Sequence, residues 1–344
     1  MNLFHHFQTS TYQTLPLLSP AWKDAVGLAF RYEYLMHAVL CVSASHLAFL
    51  SQSMHYKTQS RKHLSCALRL FREALGQTAI EDDSDAILAT SALIYYEAWS
   101  SPDALATDTP TETADARLLY QARDDQLLAL ATGMRHLFSS AKWSPLYRMS
   151  LFSRTVVHRP IKAIESATLS LGRDPFELEC LLAGFYNQPN MISNCQTRQL
   201  PDQTISAKAQ PRKSNYSDIQ VEPIRFPSCA YDSYMSVAAR LSILLSLLPG
   251  KEENPTIPTR ENTLRSVLDL QPDLLFDVAR VVYTFSLMFY ENFLSMIHDN
   301  DPRALLLLYY FYRMIQSLLP KQDCWWASKR AEVMQQRLAR RLWG

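Results

Sequence analysis

Two acidic clusters are the first candidates for chemistry, because carboxylates at helical spacing can hold a magnesium ion and a diphosphate. One is Asp82-Asp83-Ser84-Asp85 and the other is Asp124-Asp125, which Gln126-Leu127-Leu128 follows. The class I terpene synthase pattern is D-D-x-x-[DE]. The first cluster has the wrong spacing for it, and the second lacks the distal acid. We therefore interpret the first as an acidic helix start and the second as a solvated helix face.

The nine histidines are scattered, and no catalytic template organises them. The sequence contains no H-E-x-x-H, no G-x-S-x-G and no protein-kinase signature. His37 and His46 are nine residues apart in one predicted helix, so they lie on nearly opposite faces and do not share a metal ion. We interpret each helix histidine as hydrogen-bonded and structural. The sequence predicts no catalytic residue, no metal site and no cofactor.

Glycine and cysteine usage excludes two further kinds of site. The seven glycines form neither G-x-G-x-x-G nor G-x-x-x-x-G-K-[ST], so no phosphate-binding loop is predicted. The six cysteines stand apart with no C-x-x-C pair, which argues against a zinc site and a disulfide scaffold. They are predicted to be reduced thiols, mostly buried, in an intracellular protein: Cys41, Cys66, Cys180, Cys195, Cys229 and Cys324.

The charge balance argues against a free-standing nucleic-acid binder. Lys and Arg number 34 against 33 Asp and Glu, whereas binders of nucleic acid usually have a strong basic excess. The basic residues of the C-terminal helix complement the dipole of that helix, although they could also contact phosphates. They are Lys329, Arg330, Arg337, Arg340 and Arg341. We predict no direct DNA-binding residue.

An aromatic face near the C-terminus is the strongest candidate for a binding site. Tyr309-Tyr310-Phe311-Tyr312 follows a predicted helix that carries Phe285, Phe289 and Tyr290. Two interpretations stay open. Such a face usually packs in the core, but aromatic rings with a few hydroxyl groups also line apolar ligand pockets. The candidate ligand-binding residues are Met36, Phe285, Phe289, Tyr309 and Tyr312.

Apolar residues recur at spacings of three and four along most of the chain, which predicts helices. We find no convincing strand, and with 48% hydrophobic residues the chain can bury a sizeable core. The prediction is an all-α, multi-helix bundle of about ten helices with no significant sheet. The predicted helices span residues 22–50, 56–75, 81–99, 114–140, 145–155, 175–186, 231–248, 264–270, 273–297, 302–319 and 325–342.

A polar, proline-studded stretch divides the helical text. Residues 187–228 lack periodicity and are too long for an ordinary loop, so we predict a disordered insertion or linker there. It separates an N-terminal half, residues 1–186, from a C-terminal half of the same domain, residues 229–344. We expect no signal peptide and no membrane span, because no window of about eighteen residues is continuously apolar.

Several segments, taken together in order and spacing, resemble one protein family. The sequence from Leu35 to Ala48, LMHAVLCVSASHLA, is similar to the residue pattern of the first characteristic helix of that family. Residues 56–75 are similar to the pattern of its next helix. Later motifs of the family are matched by DAILATS at 85–91 and by Gly133-Met134. Its C-terminal motifs are matched by Pro302–Leu308 and by Trp325-Trp326. The sequence thus resembles the fungal-specific transcription-factor regulatory domain, most strongly its branch of sterol-uptake regulators.

The resemblance implies an all-α bundle that regulates transcription in the nucleus, either of a secondary-metabolite gene cluster or in a response to lipid. In some members of the family a lipid-like ligand in a helical pocket takes part. It implies an apolar small-molecule ligand and either a DNA-binding partner protein or a homodimer. The family normally carries six closely spaced cysteines on two zinc ions, which contact DNA. These 344 residues contain no such cluster, so direct sequence-specific DNA binding is not expected. A small-molecule carrier or a cyclase-like biosynthetic enzyme on the same scaffold remains the alternative.

Overall fold

The computed structural model describes residues 2–16, 21–76, 84–101, 125–139, 151, 160–187, 229–248 and 272–344. Within these ranges the chain forms thirteen α-helices and two short 3₁₀ helices, with no strand. The all-α class predicted from the spacing of apolar residues is confirmed. The number of helices is somewhat larger than predicted.

We number the α-helices in chain order. The first six are α1 Leu3–Thr9, α2 Trp22–Leu28, α3 Glu33–Ser51, α4 Met54–Gly76, α5 Ser84–Ser100 and α6 Gln126–Ser139. The others are α7 Pro160–Ser170, α8 Pro175–Asn187, α9 Ala230–Leu245, α10 Pro272–Thr284, α11 Glu291–His298, α12 Pro302–Leu318 and α13 Trp325–Trp343. The 3₁₀ helices are Thr11–Thr14 and Phe285–Met288.

The single helix predicted over residues 22–50 is wrong, because the chain turns between α2 and α3. The amides of Arg31 and Tyr32 both bond to the Leu28 carbonyl, and Tyr32 is extended with φ −122° and ψ 105°. Phe30 is left 72% exposed and packs edge-on against Phe4, with ring centroids 5.1 Å apart. Helical spacing continues through this turn because both helices bury apolar residues in the same core, so spacing alone does not reveal the break.

The helix predicted over residues 273–297 is also divided. α10 ends at Thr284, the 3₁₀ turn follows, and Phe289 and Tyr290 adopt extended backbone before α11. Phe289 nevertheless packs against Phe285 at 5.4 Å and against Phe293 at 5.0 Å between ring centroids. The aromatic residues keep a spacing of four along the sequence on both sides of the break, which is why the sequence predicted one continuous helix.

The other predicted helices either match the structure or lie outside the described residues. Those at 56–75, 81–99, 175–186, 231–248, 302–319 and 325–342 are confirmed within a few residues where the structure describes them. Those at 145–155 and 264–270, the first half of 114–140 and the insertion 187–228 beyond Asn187 lie outside the described ranges, apart from Leu151. α1, the first 3₁₀ helix and α7 were not predicted.

Helices from both predicted halves share one hydrophobic core. α3 and α4 form a helical hairpin, joined at Gln52, whose left-handed backbone has φ 53°. α5 packs between this hairpin and the C-terminal α13, while α9 contacts α7, α8, α11 and α12. The N-terminal and C-terminal parts of the chain therefore stabilise each other.

Among the described residues, α3 is the one helix that is long and apolar enough to cross a membrane. It packs against α1, α4 and α5, and 61% of its most apolar stretch is buried within the protein. Burial in the core accounts for its composition.

Candidate functional site

A fully buried aromatic cluster joins α5, α10, α12 and α13. The Trp326 ring centroid lies 5.5 Å from that of Trp99 and 5.7 Å from those of Tyr96 and Tyr283, each approached edge-on. We call this group, with its neighbours, the aromatic cluster: Tyr95, Tyr96, Trp99, Tyr283, Phe285, Phe289, Phe311, Tyr312 and Trp326. Edge-on pairs of this kind add about 0.5–1.5 kcal/mol each to the free energy of burial.

Three of the predicted ligand-binding residues lie in the aromatic cluster. Phe285 stacks on Phe311 with centroids 4.0 Å apart and planes at 11°, and Phe289 packs on Phe285. Tyr312 lies 6.5 Å from Trp99 between ring centroids. The structure therefore brings Phe285, Phe289 and Tyr312 together.

The other two predicted residues lie elsewhere. Tyr309 is half-buried and packs against Trp343 near the end of α13, with ring centroids 4.8 Å apart. Met36 is half-buried on α3 and packs against the edge of the core. The use of these five side chains as one ligand pocket stays a prediction.

Two hydroxyl groups inside the aromatic cluster form hydrogen bonds within the protein. The Tyr283 hydroxyl donates to the Ala92 carbonyl at 2.8 Å, and the Tyr95 hydroxyl bonds to that of Ser286. Burial raises the pKa of Tyr312 to about 12 and raises the pKa values of Tyr95 and Tyr283 as well. These phenols therefore stay neutral, and the bonds of Tyr95 and Tyr283 join α5 to α10 and to the following 3₁₀ turn.

A buried ion pair lies beside the aromatic cluster. Arg330 of α13 contacts the carboxylate of Asp125, and the two side chains are 2% and 1% exposed. Arg330 also donates to the Ala98 carbonyl at 3.1 Å, and its guanidinium carbon lies 5.9 Å from the Trp99 ring centroid. The interpretation of Asp125 as part of a solvated face is wrong, because the opposite charge on α13 allows its burial.

A second buried carboxyl group, Glu97, is surrounded by serine hydroxyls. Ser45 donates to it at 2.5 Å, Ser101 at 3.0 Å and Ser60 at 3.3 Å, with Ser100 at 3.4 Å. Burial raises the pKa of Glu97, and the four serine hydrogen bonds oppose that rise. Glu97 and these four serines, which we call the serine network, join α3, α4 and α5 through hydrogen bonds. The surfaces of the three helices around the network are apolar.

We expect Glu97→Gln to remove a pH dependence of stability. The pKa of Glu97 is raised above 4.5 in the folded protein. The protonated carboxyl group therefore makes its full contribution to the free energy of unfolding at low pH, and this contribution is lost as pH rises through the folded pKa. The wild type should therefore lose stability relative to Glu97→Gln as pH rises above 4.5, measured by urea unfolding across pH. Glu73→Gln, on an exposed side chain, is the control. Parallel pH profiles for wild type and Glu97→Gln would contradict the expectation.

Two histidines form an interhelical pair. The Nδ1 atoms of His37 on α3 and His63 on α4 lie 3.0 Å apart, and both side chains are half-buried. Burial, and to a lesser extent His37, lowers the pKa of His63. The interpretation of His37 as a hydrogen-bonded histidine is confirmed. Within the described ranges, no three ligating side chains are grouped so as to hold a metal ion.

His46 is hydrogen-bonded as well, as predicted. Its Nδ1 lies 3.1 Å from the Thr11 hydroxyl, and its ring stacks on Trp325 with centroids 5.0 Å apart. Burial, with a smaller effect from His6, lowers the pKa of His46 to about 4. His46 therefore links the N-terminal 3₁₀ helix to α13 as a neutral ring.

We expect this histidine to make the protein sensitive to acid. Because the pKa of His46 is lowered in the folded protein, its neutral ring contributes to stability above pH 6.5. That contribution is lost as pH falls towards about 4. The loss should be about 3 kcal/mol, as the size of the pKa shift implies. His46→Gln should show a correspondingly flatter stability profile in urea unfolding. His55→Gln, on an exposed side chain, should leave the acid slope unchanged, and an equal slope in His46→Gln would overturn the assignment.

The described cysteines are all free thiols, as predicted, but they are not mostly buried. Cys41 and Cys324 are buried, Cys66 is half-buried, and Cys180 and Cys229 are exposed. Burial raises the pKa of Cys324 to about 12 and raises that of Cys41 strongly. The two buried thiols are thus protonated core residues, and Cys195 lies outside the described ranges.

Sequence reasoning missed the partners of the buried charges. Glu97 interrupts the apolar text IYYEAWS of α5, and an acid in such a helix is a readable signal of a buried polar group. No comparable local signal joins Asp125 to Arg330, because 205 residues separate them in the chain. Their proximity follows from packing alone.

The helices pack around one aromatic core. The N-terminal hairpin is joined to this core by the serine network around Glu97. This arrangement defines a helical-bundle domain. Residues 2–105 match the family described as "Fungal specific transcription factor domain". This stretch contains α1 to α5, so it covers the hairpin and one wall of the aromatic cluster. The resemblance inferred from the sequence is confirmed for residues 2–105, which match the model of this family. Its extension to the C-terminal segments stays a prediction.

A curated relative carries the same similarity. Sterol uptake control protein 2 of Saccharomyces cerevisiae is 34% identical over 102 residues, which are 28% of this chain and 11% of that protein. The chain therefore matches about a ninth of the length of this relative.

Proposed function

We propose that the protein is a fungal regulator of transcription whose helical domain senses an apolar small molecule. The match of residues 2–105 to a fungal-specific transcription factor domain is the observation that carries this proposal. The name of the relative, a sterol uptake control protein, favours a response to lipid over control of a secondary-metabolite gene cluster. The proposed place of action is the nucleus.

The packing of α5 supports a link between ligand and regulation. This helix belongs to the matched region and contributes Tyr95, Tyr96 and Trp99 to the aromatic cluster, where the C-terminal helices supply the other rings. A ligand seated against Phe285, Phe289 and Tyr312 would alter the contacts of α5 with α10, α12 and α13. Such a ligand shifts the protein only if it binds one arrangement of these helices more tightly than another.

We propose that these residues reach DNA through another polypeptide segment. The 344 residues contain no group of closely spaced cysteines, and their formal net charge is +1. Neutralisation of phosphates supplies most of the affinity of a free-standing DNA binder, and a nearly neutral chain supplies little of it. A DNA-binding partner protein fits that requirement, whereas a second copy of these residues would bring the same nearly neutral charge.

Transcript profiling of a deletion strain, with metabolites quantified in the same cultures, tests the proposal. A coordinated change in one set of genes, restored by the intact gene, is the result expected of a regulator. Normal transcripts together with one accumulated intermediate would overturn it and would favour the alternative of an enzyme or carrier on the same scaffold.

A further inference from the structure

Two histidines face each other across the hairpin of α3 and α4. The Nδ1 atoms of His37 and His63 lie 3.0 Å apart, the ring centroids are 5.2 Å apart, and the ring planes are inclined by 35°. Both side chains are half-buried, so water and small ions reach them. We call these two residues the histidine pair.

The distance between the two nitrogen atoms suits a metal ion as well as a hydrogen bond. Imidazole nitrogens bind zinc at about 2.0–2.1 Å. Two such ligands on one ion are therefore about 2.9 Å apart at a right angle and about 3.3 Å apart at the tetrahedral angle. The observed 3.0 Å lies within this range, so small rotations of the rings direct both lone pairs at one ion.

The tautomers of the two rings distinguish the hydrogen bond from metal binding. In the hydrogen bond one Nδ1 carries a hydrogen and the other accepts it, because two bare nitrogens would repel each other. With an ion bound, both rings are neutral and carry their hydrogens on Nε2. The ion thus takes the place of the shared hydrogen, and two neutral rings neither gain nor lose a proton in the exchange.

Contacts on either side of the histidine pair hold α3 and α4 at a fixed separation. Towards the start of α3, Tyr34 packs on Phe71 of α4 with ring centroids 5.7 Å apart. Towards the end of α3, the Cys41 thiol lies 3.4 Å from the Ser60 hydroxyl of α4. The ligating nitrogens are therefore already close together, and binding of an ion costs little conformational entropy.

We propose that His37 and His63 bind one divalent transition-metal ion between α3 and α4. Imidazole is a ligand for zinc, copper and nickel, whereas magnesium and calcium prefer oxygen ligands. Within the described ranges no third ligating side chain is grouped with the histidine pair, so the other positions on the ion are open to water. The ion joins two helices inside residues 2–105, which match the transcription factor domain.

Isothermal titration calorimetry of the full chain with zinc chloride tests the proposal, and magnesium chloride is the control ion. Zinc should bind and magnesium should not. The exposed thiols of Cys180 and Cys229 can also bind zinc, so the site is identified by the binding that variants of the histidine pair remove.

Variants locate the site. His37→Gln and His63→Gln should each weaken this binding at least about tenfold, since loss of an outer-shell partner alone weakens metal binding about ten- to hundredfold. In the double variant the two losses should not add, because one missing ligand already breaks the bridge. His55→Gln, at an exposed histidine of α4, is the matched control and should bind zinc as the wild type does.

Two further measurements do not depend on the calorimetry. Zinc should raise the urea midpoint of the wild type and of His55→Gln more than that of either variant of the pair, because an ion bound to the folded state stabilises it. If the variants fail to fold, carbethoxylation of the wild type followed by mass spectrometry takes their place. Zinc should then protect His37 and His63 and leave His55 reactive.

Zinc affinity that both variants of the pair retain would overturn the site, as would equal reactivity of the wild-type histidines with and without zinc. No binding of zinc by the wild type would also overturn it and would leave the two histidines as a hydrogen-bonded pair only. This inference is independent of the proposed function. Zinc binding is measured on the isolated protein, so its outcome does not depend on transcripts in the deletion strain.

Discussion

Arg330→Met is expected to lower the free energy of unfolding by about 3–5 kcal/mol, because it leaves the buried Asp125 carboxylate without its partner. The two side chains are almost completely buried, so water cannot replace the lost cation. Arg330 also bonds to the Ala98 carbonyl and lies over Trp99, and these contacts disappear with the charge. Urea unfolding followed by circular dichroism measures the change.

A second substitution separates the charge from the packing. Asp125→Asn keeps an acceptor for the Leu127 amide, 3.1 Å away, but removes the negative charge. The double variant should therefore be more stable than Arg330→Met alone. Lys329→Ala is the control on the neighbouring residue, whose exposed ion pair with Glu332 contributes no more than about 1 kcal/mol. Equal losses of unfolding free energy in Arg330→Met and Lys329→Ala would contradict the expectation that the buried pair of Arg330 and Asp125 is important for stability.

Trp326→Ala is expected to destabilise the fold by about 3–5 kcal/mol, because it opens a cavity at the centre of the aromatic cluster. Trp326 is fully buried and contacts Tyr96, Trp99 and Tyr283. The loss should appear in the same unfolding measurement. Added indole should recover part of it, since an apolar cavity of matching shape binds an aromatic molecule.

Trp343→Ala provides the comparison for this variant. Trp343 is half-buried at the end of the same helix and packs against Tyr309, so its removal leaves a groove that water can fill. We expect a smaller loss and no recovery by indole. Equal losses for the two tryptophans would show that the aromatic cluster is not the centre of the core.

Both variants bear on the proposed regulation. Trp326 and Arg330 lie on α13, and both contact Trp99 of α5, which belongs to the matched region. A rearrangement of the C-terminal helices on binding of the proposed ligand would reach α5 through these two contacts, together with those of Tyr283 and Tyr312. The same contacts that stabilise the fold would then set the difference in energy between its ligand-bound and ligand-free arrangements.

Local sequence was sufficient where a helix is marked by its own residues. α12 begins at Asp301-Pro302, where the Asp301 carboxylate accepts a hydrogen bond from the Arg303 amide at 2.9 Å. The spacing of apolar residues indicated the confirmed helices. The sequences of residues 35–48, 56–75 and 85–91 were sufficient to indicate the resemblance to the fungal-specific transcription factor domain. These features depend on neighbours within a few turns, which the sequence displays directly.

The sequence by itself determined the all-α class, most helix positions, the family resemblance and the presence of an aromatic face. Only the tertiary structure decided where the chain turns at residues 29–32 and 285–290, and which charges meet. Asp125 and Arg330 are 205 residues apart, and Ser45, Ser60 and Glu97 come from three separate helices. Helix formation depends on local backbone bonds and side-chain spacing, whereas these contacts depend on how whole helices share one core, and no local pattern records that choice.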